Sequence, residues 1–220
     1  MVAALYVEAR GPYSGRQDVD PWPIERDARR YAGPWPVVAH PPCERWGRYW
    51  SGGPSAAVRR ELGDDAGCFA AALASVRRWG GVLEHPEASH AWNRFQLRRP
   101  PRRGGWVRGL CGGWSCCVEQ GHYGHAARKA TWLYLYGTET PPELLWGPAP
   151  RGLRLDEGFH SAAERRRAVR TGICQRLSKR QRLLSPPAFA DLLVEIARAC
   201  GRTPSCSPTK GKSDAQGIAA

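Results

Sequence analysis

The sequence predicts an α/β domain whose sheet is mainly parallel. Residues 37–43 and 82–86 follow the same pattern, in which a short apolar strand ends in polar residues and proline. Between them, residues 64–79 place small and apolar side chains at helical spacing. A helix that joins two parallel strands forms a right-handed crossover, so the carboxyl ends of the strands meet at one sheet edge. This arrangement predicts that Cys43 and Glu84 lie close together.

The chain before this unit predicts one strand and one short helix. Residues 4–7 are apolar and β-prone, and a loop with two glycines follows them. That loop matches no recognisable phosphate or dinucleotide fingerprint. Residues 24–31 predict a short helix, because Pro23 is acceptable near its start and a Gly-Pro pair follows its end.

The chain after residue 86 predicts a basic loop, a strand pair and a final helix. Residues 98–113 are rich in arginine, proline and glycine, which is typical of a mobile loop. Residues 115–120 and 130–136 are β-prone and flank a glycine-containing turn, which predicts an antiparallel pair. Ser185 is suited to cap a helix that starts in the following Pro-Pro pair and runs to about Cys200.

These elements divide the chain into four parts. Residues 1–137 form the α/β core that carries the candidate catalytic residues. Residues 138–176 form a short basic insertion, and residues 177–200 return to the core as a helix. Residues 201–220 have the composition of a disordered tail.

Composition favours a polyanionic partner. The 220 residues carry a formal charge of +13, from 33 lysines and arginines against 20 acidic residues, together with ten tryptophans. Arginine and exposed aromatic rings suit phosphate and base contacts, which favours nucleic acid. A GC-rich genome would enrich the same residues without any such function.

The expected location is the cytoplasm. The amino terminus lacks the basic start and long apolar centre of a signal peptide, and no run is long and apolar enough to cross a membrane. The eight cysteines are unevenly spaced, which favours reduced thiols over a disulfide framework. We therefore expect no membrane partner.

Cys43 is the candidate nucleophile. Pro41 and Pro42 stiffen the turn just beyond a strand's carboxyl end, where ligands and catalytic groups collect in α/β sheets. Arg45 or Arg48 could help to lower the pKa of the thiol. The aromatic and cationic residues 44–50 could hold a planar base and its phosphate, or could instead pack on the domain.

The order of four short motifs resembles that of the DNA cytosine-5 methyltransferase family. Pro41-Pro42-Cys43 matches the nucleophile loop of that family, and Glu84-His85-Pro86 is similar to its Glu-Asn-Val or Glu-Asn-Pro motif. The segment from Glu119-Gln120 to Arg128-Lys129 is a loose version of its Gln-x-Arg-x-Arg motif, and Ser185-Pro186-Pro187 resembles its Val-Pro-Pro helix start. The resemblance implies a Rossmann-like methyltransferase sheet.

The resemblance also implies roles for individual residues. Cys43 would add to C6 of a flipped-out cytosine, and Glu84 would contact N3 and the exocyclic amine, so that C5 accepts a one-carbon group. Arg128 would support the base or a phosphate. S-adenosylmethionine would be the donor, with a binding site formed by Tyr13, Ser14, Gly15, Pro41 and Pro186. The resemblance implies DNA rather than RNA as the partner, and the expected nucleic-acid contacts are Arg45, Arg48, Arg102, Arg103, Lys129, Lys179 and Arg180.

The sequence departs from this family in three places. The family's Phe-x-Gly-x-Gly loop is absent, and only residues 11–15 stand near its position. His85 replaces the usual asparagine, and residues 129–185 are short for a target-recognition domain. The chain therefore resembles a reduced, phage-like relative, for which a folate one-carbon donor and a pyrimidine nucleotide substrate are the alternatives.

Two other interpretations compete with an enzyme. Cysteines and histidines between residues 111 and 125 could bind zinc, although their spacing is not that of a standard finger. We expect no metal, and Cys111, Cys116, His122 and His125 are the weak alternative ligands. The other interpretation is a basic nucleic-acid-binding protein without chemistry, in which Glu84 only caps a helix or forms an ion pair.

Overall fold

A seven-stranded sheet forms the centre of the molecule, with the strand order β2-β1-β3-β4-β7-β6-β5. It is seen in a computed structural model, which describes residues 1–47, 50–52, 60–150, 152–153, 161–172 and 177–200. The fold is therefore a mixed α/β one, as the sequence predicts.

The first half of the sheet is parallel. It contains β1 (Val2–Leu5), β2 (Val19–Trp22), β3 (Val37–Ala39) and β4 (Gly81–Pro86), and each neighbouring pair runs in the same direction. The helix α1 (Cys68–Trp79) connects β3 to β4. The predicted strand–helix–strand unit is confirmed. β1 and β3 are unbroken apolar runs because both of their faces are covered.

The second half of the sheet is antiparallel. β7 (Ala130–Tyr136) pairs with β4 on one side and with β6 (Trp114–Glu119) on the other, and β5 (Val107–Arg108) forms the edge. The predicted antiparallel pair is confirmed. The expectation of a mainly parallel sheet holds only for the first half, because three of the six strand pairings are antiparallel.

Helices cover both faces of the sheet. α1 packs against one face, where Phe69 and Trp92 join side chains such as Leu5 and Leu83. α5 (Pro187–Cys200) covers the other face through a buried stripe, as its amphipathic pattern predicts. The remaining helices are α2 (His90–Arg94), α3 (Ala162–Thr171) and α4 (Lys179–Leu183).

Several predictions of local structure were wrong. The helix predicted for residues 24–31 is two short 3₁₀ turns, because Asp27 between them has a φ of 47° and its carboxylate accepts the N–H of Arg29. β2 and β5 were not predicted, since these short edge strands lack an apolar alternation. The tail at residues 201–220 and part of the insertion at residues 138–176 lie outside the described residues.

None of the helices in the described part of the chain is long and apolar enough to cross a membrane.

Candidate functional site

The carboxyl ends of β1, β3 and β4 open into a cleft of about 780 Å³. The loop after β1 forms one wall, the β3 and β4 ends form the floor, and α4 with the start of α5 forms the opposite wall. The connection between β6 and β7 closes one end through His125 and Lys129. The volume is within the range of ordinary ligand sites.

The local sequence directs Cys43 into this cleft. The backbone N–H of His40 donates to Leu5 at 3.1 Å, which keeps the end of β3 on the sheet. Two prolines then fix the chain, and the carbonyl of Cys43 accepts the N–H groups of Trp46 at 3.0 Å and Gly47 at 2.9 Å. Cys43 is half-buried and lines the cleft.

Trp46 anchors the loop that follows Cys43. Its ring is buried and lies 5.8 Å from the rings of Phe69 and Phe95, and its indole N–H donates to Asp65 at 2.8 Å. Of the two interpretations of residues 44–50, the structure supports packing on the domain for Trp46. Arg48 lies outside the described residues.

A chain of hydrogen bonds crosses the floor of the cleft. The hydroxyl of Tyr13 is 2.8 Å from Nε2 of His40, and Nδ1 of His40 is 3.0 Å from a carboxylate oxygen of Glu84. On the other side of Glu84, the amide of Gln120 donates to the second oxygen at 3.4 Å and to Thr131 at 3.0 Å. Both oxygens of Glu84 are therefore held in place.

Glu84 is ionised at neutral pH. Burial by itself raises the pKa of this carboxyl, but the hydrogen bond and charge of His40 and the charge of Lys129 outweigh burial, so that the pKa is lowered. Glu84 lies in the last part of β4, which ends at Pro86 as the sequence predicts, and it lines the cleft. An ionised carboxylate only accepts hydrogen bonds, so a ligand must offer donors to it.

Lys129 supplies a positive charge to the same cleft. Its φ of 43° is left-handed, which is strained for a residue other than glycine, and its ammonium donates to the carbonyl of Leu184 at 2.9 Å. Burial lowers the pKa of Lys129, while Glu84 and Cys43 act in the opposite direction. The preceding residue, Arg128, lies outside the cleft. It is exposed, and its Nε is 3.8 Å from a carboxylate oxygen of Glu119.

Cys43 is a thiol in the free protein. Burial raises its pKa most, and the negative charge of Glu84 raises it further. Lys129 lowers it. Of the two arginines that the sequence suggested for this role, Arg48 lies outside the described residues. The thiolate therefore becomes more favourable when the charge of Glu84 is balanced or withdrawn.

His85 is among the residues that line the cleft, and its ring packs in the core beside it. It is fully buried, its Nδ1 is 2.8 Å from the hydroxyl of Ser89, and its ring stacks on Trp92 with the ring centroids 6.3 Å apart. Burial lowers its pKa to about 4, against an opposing effect of Glu84. His85 is therefore neutral at physiological pH.

The predicted cofactor residues fall into two groups. Tyr13, Pro41 and Pro186 line the cleft. Ser14 and Gly15 are exposed and lie outside its lining.

The predicted nucleic-acid contacts are dispersed. Arg102, Arg103 and Arg180 are exposed, and Arg180 belongs to α4 on the cleft wall. Arg45 is half-buried, and Lys129 belongs to the cleft itself. Lys179 begins α4.

The candidate zinc ligands are not brought together. Cys116 is buried in the core, and Cys111 is exposed. His122 faces the carbonyl of Gly147 at 3.1 Å, and His125 faces that of Ala127 at 2.8 Å. Within the described residues, no group of three or more histidine, cysteine or acidic side chains is arranged to hold a metal.

Sequence reasoning missed the roles of His40, Gln120 and Lys129 in this site. For His40 there was a signal, because it stands between a buried strand and the two prolines before Cys43. Gln120, which is fully buried just after β6, was marked only by the loose resemblance of its segment to the Gln-x-Arg-x-Arg motif.

Comparison with known proteins gives no family. No protein-family model matches the chain, and a search of curated proteins returns no significant match. The interpretation of the cleft therefore depends on its own residues.

Proposed function

We propose that this chain is a pyrimidine C5-modifying enzyme of the DNA cytosine-5 methyltransferase type, with Cys43 as the nucleophile. The observation that carries the proposal is that Cys43 and Glu84, which lie 41 residues apart, line one cleft at the carboxyl ends of adjacent parallel strands. A thiol, an ionised carboxylate and an ammonium in one cleft form a set suited to covalent catalysis on a heteroaromatic ring.

The form of the sheet supports the same proposal. The parallel strands β1, β3 and β4 direct their carboxyl ends into the cleft, and the antiparallel pair of β6 and β7 continues the sheet beyond β4. We propose that this is the Rossmann-like sheet of the methyltransferase family. The landmark motifs at Cys43, Glu84 and Pro186 all line the one cleft.

In the proposed reaction, the thiol of Cys43 loses its proton to solvent, and the thiolate adds to C6 of the pyrimidine. The electron pair of the C5–C6 double bond moves to C5, which becomes nucleophilic, and N3 takes up a proton delivered through Glu84. Glu84 accepts hydrogen bonds from the exocyclic amine and from the protonated N3. Lys129 favours the thiolate before attack. Since Arg128 faces away from the cleft, we propose Lys129 for its supporting role.

S-adenosylmethionine is the proposed donor. The cleft is large enough for a base together with part of a donor. Its lining includes Tyr13 from the loop after β1, Pro41 from just beyond β3 and Pro186 from just before α5. These residues would hold the donor, which supplies an electrophilic methyl group when bound. Loss of the C5 proton to solvent, elimination of the Cys43 thiolate and return of the N3 proton through Glu84 would then release the product.

A nucleic acid is the proposed substrate, and the cytoplasm the proposed location. Arg10, Lys129 and Arg182 line the cleft, and Arg180 extends the positive charge along α4. Basic groups around a site for a base fit the phosphates on either side of it.

Trapping with DNA that contains 5-fluorocytosine tests the proposal. Fluorine at C5 cannot leave as a proton does, so a Cys43 adduct that has accepted the methyl group persists and is detected by intact mass. We expect an adduct in the wild type with S-adenosylmethionine, none in Cys43→Ala, and a normal adduct in Cys111→Ala, whose cysteine is exposed and lies outside the cleft.

The remaining arms of this experiment separate the alternatives. An adduct that forms only with a folate donor, or only with a fluorinated nucleotide, would keep Cys43 as the nucleophile and change the donor or the substrate. If the folded wild-type protein binds DNA but forms no adduct with any donor or any fluorinated substrate, the proposal is overturned in favour of a binding protein.

A further inference from the structure

His40 lies between Tyr13 and Glu84 on the floor of the cleft. Its two ring nitrogens lie 2.8 Å from the Tyr13 hydroxyl and 3.0 Å from the Glu84 carboxylate, and its side chain is only 14% exposed. The carboxylate that faces His40, that of Glu84, is ionised. The geometry therefore fixes which nitrogen of neutral His40 carries the hydrogen.

In the neutral form, Nδ1 of His40 must donate, since the ionised Glu84 can only accept. Nε2 then accepts the hydroxyl hydrogen of Tyr13. In the protonated form, Nδ1 still donates to Glu84, and Nε2 donates to the oxygen of Tyr13, because a hydroxyl both donates and accepts. Both forms of His40 keep the same two hydrogen bonds. The hydrogen-bonded row of Tyr13, His40 and Glu84 can therefore take up one proton without a rearrangement of its heavy atoms.

We propose that His40 is a positioning residue that stores the proton which Glu84 passes to N3 of the base. This inference rests on the proposed function. As Cys43 adds to C6, Glu84 takes the proton from Nδ1 of the His40 cation and passes it to N3, so that Glu84 is an ionised carboxylate before and after the step. His40 ends neutral, the thiolate has formed the C6–S bond, and the net charge of the site is unchanged.

Four other titratable groups of the cleft are less suited to this task. Tyr13 retains its proton, because burial and then the charge of Glu84 raise its pKa. Lys129 is held on the carbonyl of Leu184, and His85 is bonded to Ser89 on the far side of β4. Cys43 must itself lose a proton to react.

A cytosine base needs the proton that His40 stores. N3 of cytosine is an acceptor and must gain a proton to become a donor to Glu84. N3 of uracil already carries a hydrogen. A store beside the carboxylate therefore assists a 4-aminopyrimidine specifically, since only that base needs the additional proton.

The test is the pH profile of adduct formation with 5-fluorocytosine DNA in wild type, His40→Asn and Tyr13→Phe. The asparagine amide can still donate to Glu84 but cannot store a proton. In the wild type we expect a bell-shaped profile, because the rate needs both the His40 proton and the Cys43 thiolate. In His40→Asn we expect a rate about 100-fold lower, DNA affinity within about twofold of wild type, and a rate that only rises with pH.

His122→Asn is the matched control, because His122 faces the carbonyl of Gly147 and lies outside the cleft lining. It should keep the bell-shaped profile and the wild-type rate. A His40→Asn variant that is slow but keeps the bell shape would overturn the inference, since a merely structural role lowers the rate without changing the profile. A variant with the wild-type rate would overturn it as well.

Nitrogen-15 NMR of the wild-type protein separates this inference from the proposed function. Neutral His40 should carry its hydrogen on Nδ1, and Tyr13→Phe should weaken that preference. If the wild type forms no adduct, the proposed function fails whatever the tautomer is. If the adduct forms but neutral His40 carries its hydrogen on Nε2, the proton store alone fails.

Discussion

The parallel and antiparallel halves of the sheet contribute to the cleft in different ways. In the parallel half, β3 and β4 end at the cleft and supply His40, Cys43 and Glu84 directly from the strands or from the residues just beyond them. In the antiparallel half, Gln120 and Lys129 come from the connection between β6 and β7. The ends of the parallel strands converge by topology alone, whereas the connection depends on its own irregular conformation.

The acidic groups and the lysine of the cleft come from different halves of the sheet. The parallel half provides the carboxylate and the thiol, and the antiparallel half provides the cation that acts on both of them. The register of β4 against β7, in which Glu84 lies opposite Leu133, brings the two sets together. Changes in each half should therefore have distinct effects on stability and on Cys43.

The largest effect is expected from Gly81→Ala, which breaks the parallel half. Gly81 has a φ of 125°, and a Cβ there would lie 2.0 Å from the carbonyl oxygen of Val37 on β3. Because the obstacle is backbone, β3 and β4 would have to separate. We expect the free energy of unfolding to fall by about 3 kcal/mol, measured by urea denaturation.

Gly105→Ala is the matched control for this substitution. Gly105 also has a positive φ, of 88°, but nothing lies within 4 Å of a Cβ built there. Its cost should be only about 1 kcal/mol, the strain of the left-handed conformation. Equal losses of unfolding free energy in the two variants would mean that the close approach of β3 to β4 is not the reason why residue 81 must be glycine.

The next effect concerns the pH dependence of stability through His85 on β4. Its pKa is about 4 in the folded protein and near the ordinary 6.5 when unfolded. As the pH falls below about 6.5, the unfolded chain binds a proton that the folded chain does not, so stability is full above this value and is lost towards about pH 4. The expected loss is about 2 kcal/mol between about pH 7 and about pH 5.

Denaturation of His85→Phe at the same two pH values checks this origin. Phenylalanine keeps an aromatic ring against Trp92 and Phe69 but cannot be protonated. The variant should lose the corresponding part of the pH dependence, whereas His90→Gln, at the start of α2, should keep it. An unchanged slope in His85→Phe would assign the effect to another group.

The sequence predicts the parallel half of the sheet better than the connection between β6 and β7. Parallel strands joined by a helix bring their carboxyl ends together whatever the helix contains, so Cys43 and Glu84 were predicted to lie at one edge, and they line one cleft. β3 and β7 were predicted at their observed positions, because both are apolar runs bounded by proline or glycine.

The connection between β6 and β7 could not be predicted in this way. Neither strand alternation nor helical spacing applies to a 3₁₀ turn and a loop, so no pattern decides whether Arg128 or Lys129 faces the cleft. The left-handed φ of Lys129 decides it. Tyr13 is a similar case, since its burial in an irregular loop arises from tertiary contacts such as the one with His40.

The smallest effect, and the one that most directly compares the two halves, is the rate at which Cys43 is alkylated by iodoacetamide. Lys129 lowers the pKa of the Cys43 thiol, and Glu84 raises it. Lys129→Met should therefore raise that pKa and slow alkylation at mildly alkaline pH by about threefold, whereas Glu84→Gln should lower it and speed alkylation by a similar factor.

Peptide mass spectrometry resolves each cysteine, so Cys111, which is exposed and outside the cleft, provides an internal control in every variant. Arg128→Met is the matched substitution for Lys129→Met, because Arg128 is the neighbouring cation and lies outside the cleft. It should leave the alkylation rate of Cys43 unchanged. If Arg128→Met slowed Cys43 as much as Lys129→Met does, the effect would come from the general positive charge of the β6–β7 connection, and Lys129 would have no specific part in activating the thiol.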